Sequence, residues 1–549
     1  MLQRDLPTAT MKARIEDRVI YSPYPRIDIP VCSFYALAKE KLLINPNKIA
    51  LVSDDLSLTR AEVLAGMQRY AIGFRQNGVL PGDHVSIRFN NSVESLIAIY
   101  GCILAGATVF LPHASLTEHE LHYEVEDGDC THILTDELNA EKFKRAVAGL
   151  KLKGRFSLGQ AAGFVNTSEF LKIDEKEFRE CPVTDPKDTV LAVTYTSGTT
   201  GFRKGVEMTH YGYVASFYTS RIHLPWGEPD IFLGLHPVTH LANMQCGMIA
   251  VLDGATYAVV PANMTPLEIM DAVDKHKATA AQMFPGSLRT LVREMTQTGR
   301  TLPSMRGIAV GGSSFSTLLA EECRNAFGGL EALVQVYGMT EACSLITSRP
   351  KNEDLSISAD VGFPTPNVAI KVVDVLTGEK LGPHQTGEVC YHTPSVMRGY
   401  YKRPKETADT IDEDGWSKSG DAGYYDEDGR LYIVERLKQM IKCMDGTVVP
   451  TELEELLLRQ YASDIAEVAV VGLPHPDYGE APAAAVVLTD EGRTKDSELL
   501  AEQIKATVAG NYALHKHLYG GVFFVDSLPK TDTGKVTRAT LARSLARST

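Results

Sequence analysis

Two rhythms of apolar residues alternate along the 549-residue chain. Arg60 to Asn77 carries a helical period, whereas Val85 to Phe89 and Ala107 to Leu111 are short β-rich runs. Repeated alternation of this kind predicts a mostly parallel α/β sheet. The longest uncharged run, Leu96 to Leu111, is interrupted by Gly101 and Gly106. It falls short of the roughly 20 residues that a membrane helix needs, so it reads as a core helix followed by a buried strand. The texture changes near residue 415. Gly423-Tyr424-Tyr425 and Leu431 to Val434 flank the turn-rich Asp426-Glu427-Asp428-Gly429, which predicts a β-hairpin. A helix then opens at Pro450-Thr451, with Leu453, Leu456 and Leu457 at helical spacing. These features predict one domain over 1–435 and a small α+β domain over 436–549. No period of about 20 to 50 residues repeats, which removes solenoids and propellers.

Charge narrows the function. Lys and Arg number 55 against 69 Asp and Glu, a net charge of −14, the wrong sign for a protein that grips a phosphate backbone. Nucleic acid is therefore not an expected partner. Nine cysteines stand singly, with no C-x-x-C pair, which argues against a disulfide framework or zinc knuckle and for a reducing compartment. Arg4, Asp5, Lys12 and Arg14 precede any apolar stretch, unlike a signal peptide, and Ala546-Arg547-Ser548-Thr549 is not the S-K-L peroxisomal address. The expected location is cytoplasmic. Nothing in the sequence speaks to oligomeric state.

Four segments carry chemistry. The first, Thr196-Ser197-Gly198-Thr199-Thr200-Gly201-Phe202-Arg203-Lys204-Gly205, follows the apolar run Leu191 to Tyr195. Glycines let backbone approach an anion, hydroxyls at 196, 197, 199 and 200 add donors, and Lys204 adds charge, so the loop is built to hold phosphates. It is not a Walker loop, which would need glycine where Arg203 stands and a hydroxyl where Gly205 follows Lys204. The second segment, Gln335 to Glu341, combines an aromatic face, a glycine, a hydroxyl and a carboxylate that can bind Mg²⁺. Alone, it fits equally a buried tyrosine before a helix capped by Thr340. The third, Ser419-Gly420-Asp421, offers a carboxylate to ribose hydroxyls or simply a turn aspartate. In the fourth, Leu528 to Arg538, Gly534 ahead of Lys535 allows a tight turn that can thrust an ammonium into a cleft.

Together, in this order, the four segments resemble the adenylate-forming superfamily of acyl-CoA synthetases, aryl-CoA ligases, peptide-synthetase adenylation domains and beetle luciferases. The resemblance runs from about Tyr21 to Arg543 and is nearest to coumarate:CoA-ligase-like and luciferase-like members. It implies a large multi-sheet N-terminal domain, layered α/β with a β-barrel-like subdomain, and a small mobile α+β C-terminal domain. It also implies an ATP-dependent acid:CoA ligase. A small carboxylic acid attacks the α-phosphate to give an acyl-adenylate and pyrophosphate, and coenzyme A then takes the acyl group. By the same resemblance Lys535 bridges the carboxylate and α-phosphate. The ATP-binding set is Thr196, Ser197, Gly198, Thr199, Thr200, Lys204, Gly312, Tyr337, Gly338, Met339, Thr340, Asp421 and Arg436. Within it, Tyr337 faces adenine, Thr340 the α-phosphate, and Asp421 the ribose with Arg436 beside it. Glu341 holds Mg²⁺, His240 lines the acid pocket, and Lys438 is the hinge. His236 and His240 are four residues apart, but there is no Glu at 237 and no third ligand, so no transition metal is assigned.

The chain departs from the pattern in the second-step stretch. Where CoA ligases read Ile-Lys-Tyr-Lys-Gly-x-Gln-Val, this chain reads Ile441-Lys442-Cys443-Met444-Asp445-Gly446-Thr447-Val448. Lys442 is kept as a catalytic candidate, while Met444, Asp445 and Thr447 bear on the thiol half-reaction. Arg203 stands where proline is common, a change expected to matter little. Two alternatives stay open: a luciferase-like or degenerate adenylating relative, and a silent nucleotide-binding scaffold. Lys204, Glu341, Asp421, Arg436 and Lys535 speak against the scaffold.

Overall fold

The computed structural model describes residues 11–112, 116–196, 203–313, 315–351, 353, 360–444, 446–531 and 535–547. The chain divides into two compact units. The first takes Met1–Ile370, Cys390–Lys418 and Asp428–Arg430; the second takes Lys371–Val389, Ser419–Glu427 and Leu431–Thr549.

Two large sheets organise the first unit. In a seven-stranded sheet, Val190–Thr196, Thr108–Leu111, His84–Arg88, His132–Asp136, Gly154–Leu158 and Val165–Asn166 run parallel, and Lys204–Thr209 closes one edge antiparallel to Val190–Thr196. The second sheet has nine strands, with a parallel centre that includes Ala280–Met283, Gly307–Val310 and Ala332–Met339. Helices enter the core at points that the sequence marks. Thr59 with Glu62, Ser92 with Ser95, and Thr117 with Glu120 each form a reciprocal capping box, which satisfies orphan backbone donors at the helix start. The helix Arg60–Gln76 matches the periodicity of that stretch. The run from Leu96 lies in the buried helix Val93–Leu104, followed by the fully buried strand Thr108–Leu111. Tyr100 and Tyr213 are wholly buried, and their hydroxyls pair at 2.8 Å, so each phenol keeps a polar partner inside the core.

In the second unit, Ile465–His475 and Gly479–Leu488 form a long antiparallel pair, extended by Ile441–Cys443, Gly446–Val448 and the parallel strand Gly521–Phe524. The helix Pro450–Gln460 packs Leu453 and Leu457 on this sheet, with proline in its first turn. The expected hairpin is present as Ser417–Tyr425 and Leu431–Arg436. Among the described residues, no helix is long and apolar enough to cross a membrane. All nine cysteines are free thiols.

Candidate active site

The phosphate-loop candidate is the connection of a β-hairpin. Val190–Thr196 and Lys204–Thr209 are antiparallel with Thr196 opposite Lys204, so both arms of the loop are fixed by ladder bonds. Ser197, Gly198, Thr199 and Thr200 lie outside the described residues. The Lys204 ammonium sits 4.8 Å from the centre of the Tyr400 ring, a cation–π contact. The Tyr400 hydroxyl donates to Glu341 Oε1 at 2.9 Å, and Met397 N donates to Glu341 O at 2.9 Å. One buried tyrosine thus ties the lysine arm of the loop to the Glu341 segment. Sequence reasoning passed over Tyr400; Gly399-Tyr400-Tyr401, a glycine before two aromatics, was its one local signal.

Tyr337, Gly338 and Met339 end the strand Ala332–Met339, and Thr340 and Glu341 begin a single 3₁₀ turn to Ala342. The cap position is Met339, which makes no side-chain cap bond, and Thr340 is the first residue of the turn, so Thr340 is not the helix cap that the sequence also allowed. Gly338 lies at a bulge, where a Cβ would come within 2.6 Å of Ser344 O; only glycine lets these strands approach so closely. Gly312, just past the strand Gly307–Val310, has φ 90°, a conformation that side chains resist.

His240 packs its ring 6.0 Å from Phe284, and His236 lies 4.4 Å from the same ring. Burial pushes His236 down to about 4, so that imidazole is uncharged at neutral pH. The backbone here is pinned by Asn91, whose side chain donates to His236 O at 2.8 Å and accepts from Val238 N at 2.8 Å.

In the second unit Asp421 is buried mid-strand, not in a turn. It faces Arg436 across the hairpin ladder, and Arg436 Nε lies 2.7 Å from its Oδ1. Lys438 occupies the 3₁₀ turn Leu437–Gln439. Lys442 is exposed on Ile441–Cys443, and its backbone N–H donates to Glu480 at 2.7 Å. Met444 turns that hairpin with φ 54° and is 41% exposed; Asp445 lies outside the described residues, and Thr447 pairs with Lys442. Lys535 is exposed at the end of a turn closed by Thr531 N–H to Lys535 O at 2.8 Å, and Lys535 N–H donates to Thr531 Oγ1 at 3.2 Å. Gly534 lies outside the described residues. Arg538 anchors this segment: it donates to Val470 O at 2.9 Å and to Glu454 Oε2 at 3.1 Å, and lies 3.8 Å from Glu435. Burial raises the Glu435 carboxyl, against the pull of Arg538.

The AMP-binding enzyme family model matches residues 39–401, and the model for the AMP-binding enzyme C-terminal domain matches 452–535. The chain is 31% identical over 500 residues to 4-coumarate–CoA ligase 3 of Oryza sativa subsp. japonica, covering 89% of this chain and 88% of the relative. Among solved structures it resembles ATP-bound MatB from Rhodopseudomonas palustris, with TM-score 0.82, 25% identity and coverage of 93% of this chain and 98% of that one. It also resembles the o-succinylbenzoate CoA synthetase MenE of Bacillus subtilis in complex with its acyl-adenylate intermediate, with TM-score 0.77, 26% identity and coverage of 92% and 97%.

Proposed function

The chain belongs to the AMP-binding enzyme family and is an ATP-dependent, adenylate-forming acid:CoA ligase; from that premise we propose which of its residues perform each half-reaction. A substrate carboxylate oxygen attacks the α-phosphorus, the bond to the bridging β-phosphate oxygen breaks, and pyrophosphate leaves. The thiol of coenzyme A then attacks the acyl carbon and AMP departs. Negative charge grows on phosphate oxygens in the first step, so the demand is for fixed cations and donors. The loop 196–204 supplies donors and the Lys204 ammonium for the β- and γ-phosphates. Thr340 and Lys535 serve the α-phosphate, with Lys535 also holding the attacking carboxylate. Tyr337 and Gly338 take adenine; Asp421, one oxygen already held by Arg436, takes the ribose.

A lone carboxylate completed by substrate oxygens and water suits Mg²⁺. Glu341, oriented by the Tyr400 phenol, would hold that ion, which would neutralise charge on the phosphates. The aromatic wall of His236, His240 and Phe284 receives the body of the acid, and we assign an aromatic acid of the coumarate class as the first substrate to try. Lys442 serves the thiol step, and Lys438 is the hinge ahead of it. We place the functional boundary at 435/436 and the protein in the cytoplasm, where nine free thiols stay reduced. The observation that carries this reading is the Lys204–Tyr400–Glu341 contact, which couples the phosphate loop to the Mg²⁺ carboxylate. The test is pyrophosphate release over a panel of aromatic, medium-chain and long-chain acids, with and without coenzyme A. Acid-independent release, or none with any acid, would overturn it.

A further inference from the structure

Beside Arg203 and Tyr195 lies a carboxylate that the proposed mechanism does not use. Glu124, on the capped helix Glu118–Asp127, is 3% exposed, and among the described residues neither of its carboxylate oxygens has a hydrogen-bond partner. Its backbone carbonyl accepts from the Tyr195 hydroxyl at 3.1 Å, so the strand leading into the loop is fastened to this same residue. Burying such a group unpaired is costly. The nearest cation is Arg203, whose Nε lies 3.9 Å from Glu124 Oε1, close enough for attraction and too far for a hydrogen bond. Arg203 directly precedes Lys204, and its side chain keeps 28% of its surface open.

We propose that Arg203 is an additional polyphosphate-binding group of this loop, and that Glu124 is the positioning residue whose charge decides whether the guanidinium is available to the nucleotide. The inference rests on the reading of 196–204 as a triphosphate loop. Arg203 and Arg88 favour the ionised form of Glu124, Glu120 and Asp127 oppose it, and burial outweighs them all, pushing the carboxyl up to about 8. At neutral pH Glu124 is therefore uncharged and Arg203 has no buried counter-ion. Above that range Glu124 ionises and claims the guanidinium. An incoming triphosphate acts in one direction on this pair: it draws Arg203 outward and adds negative potential, and both effects make Glu124 hold its proton more tightly. By linkage, nucleotide binding takes up protons in the range where Glu124 titrates, and affinity falls as pH rises through it. An arginine here, in place of the common proline, gives the loop this pH response.

The test is calorimetric titration of the full-length protein with MgATP, at pH about 8 in two buffers of different ionisation enthalpy. Wild type is expected to take up on the order of half a proton per nucleotide and to lose roughly three- to tenfold in affinity between pH about 7 and about 9. Glu124→Gln should abolish both effects. Arg203→Ala, a change at a partly open position, should weaken binding about tenfold at pH 7 and remove the pH dependence. Equal proton uptake in wild type and Glu124→Gln, or unchanged affinity in Arg203→Ala, would overturn the inference while the ligase reading stands. Failure of wild type to bind MgATP at all would overturn that reading and this inference together.

Discussion

Tyr400→Phe isolates one hydrogen bond. The phenol donates to Glu341 Oε1 at 2.9 Å, and its ring supports Lys204 at 4.8 Å; the substitution removes the first contact and keeps the second. A hydrogen bond to a charged acceptor contributes about 1.5 to 3 kcal/mol. If Glu341 depends on it to face Mg²⁺, kcat/KM for adenylation falls roughly 10- to 150-fold. The loss should appear as a raised half-saturation for free Mg²⁺ in a pyrophosphate-release assay, with affinity for metal-free ATP unchanged. Tyr400→Leu removes the ring as well, and the lost cation–π contact costs a further 0.5 to 2 kcal/mol or so, now read as weaker ATP binding. Wild-type Mg²⁺ dependence and kcat/KM in Tyr400→Phe would refute the proposed link between phosphate loop and metal carboxylate.

Lys535→Ala should slow pyrophosphate release by about two to four orders of magnitude while ATP binding persists; an unchanged rate in a single-turnover assay would remove Lys535 from the first step. Replacing Met444, Asp445 and Thr447 with Lys, Gly and Gln should raise turnover with coenzyme A at constant adenylation rate, and unmoved CoA kinetics would clear those three positions of any part in the thiol step. His210 and His223 are buried, and burial pushes them down from 6.5 to about 4 and about 3. Both are neutral in the fold and gain protons on unfolding. Their stability contribution is complete above about pH 6.5 and is lost as pH falls through about 4 to 3. Thermal melts should show the melting temperature dropping across that window, and a flat profile would contradict the assignment.

Local signals were legible where a single element carries them. The helix Pro450–Gln460, the hairpin Ser417–Tyr425 with Leu431–Arg436, and the strand before the phosphate loop all follow from spacing and turn residues. Two readings left open by sequence are decided by long-range packing. Thr340 starts an uncapped 3₁₀ turn because the strand before it continues to Met339, and Asp421 lies mid-strand because Arg436 faces it across the ladder. Tyr400 meets Glu341 across a sequence separation of 59, a distance over which no periodicity operates. Glu124 stands among Glu118, Glu120, Glu126 and Asp127 and reads as one more solvated acid. Its burial comes from tertiary packing, in which the helix meets a cluster that includes Tyr195, whose hydroxyl donates to the Glu124 carbonyl; the same packing gives Arg203 a consequence that its place in the motif did not announce.

The segment that carries Tyr400 has a second effect, on how the molecule avoids its own kind. Lys204–Thr209 is the outermost strand of the seven-stranded sheet, and an open strand edge invites pairing with another chain. Here that edge is covered. Glu207 N–H donates to Gly399 O at 3.0 Å, Arg398 N–H to Glu207 O at 2.9 Å, and Tyr401 N–H to Gly205 O at 2.8 Å. Substitutions that loosen 398–401 would therefore uncover a row of free amides and carbonyls, and self-association would emerge alongside the loss of turnover.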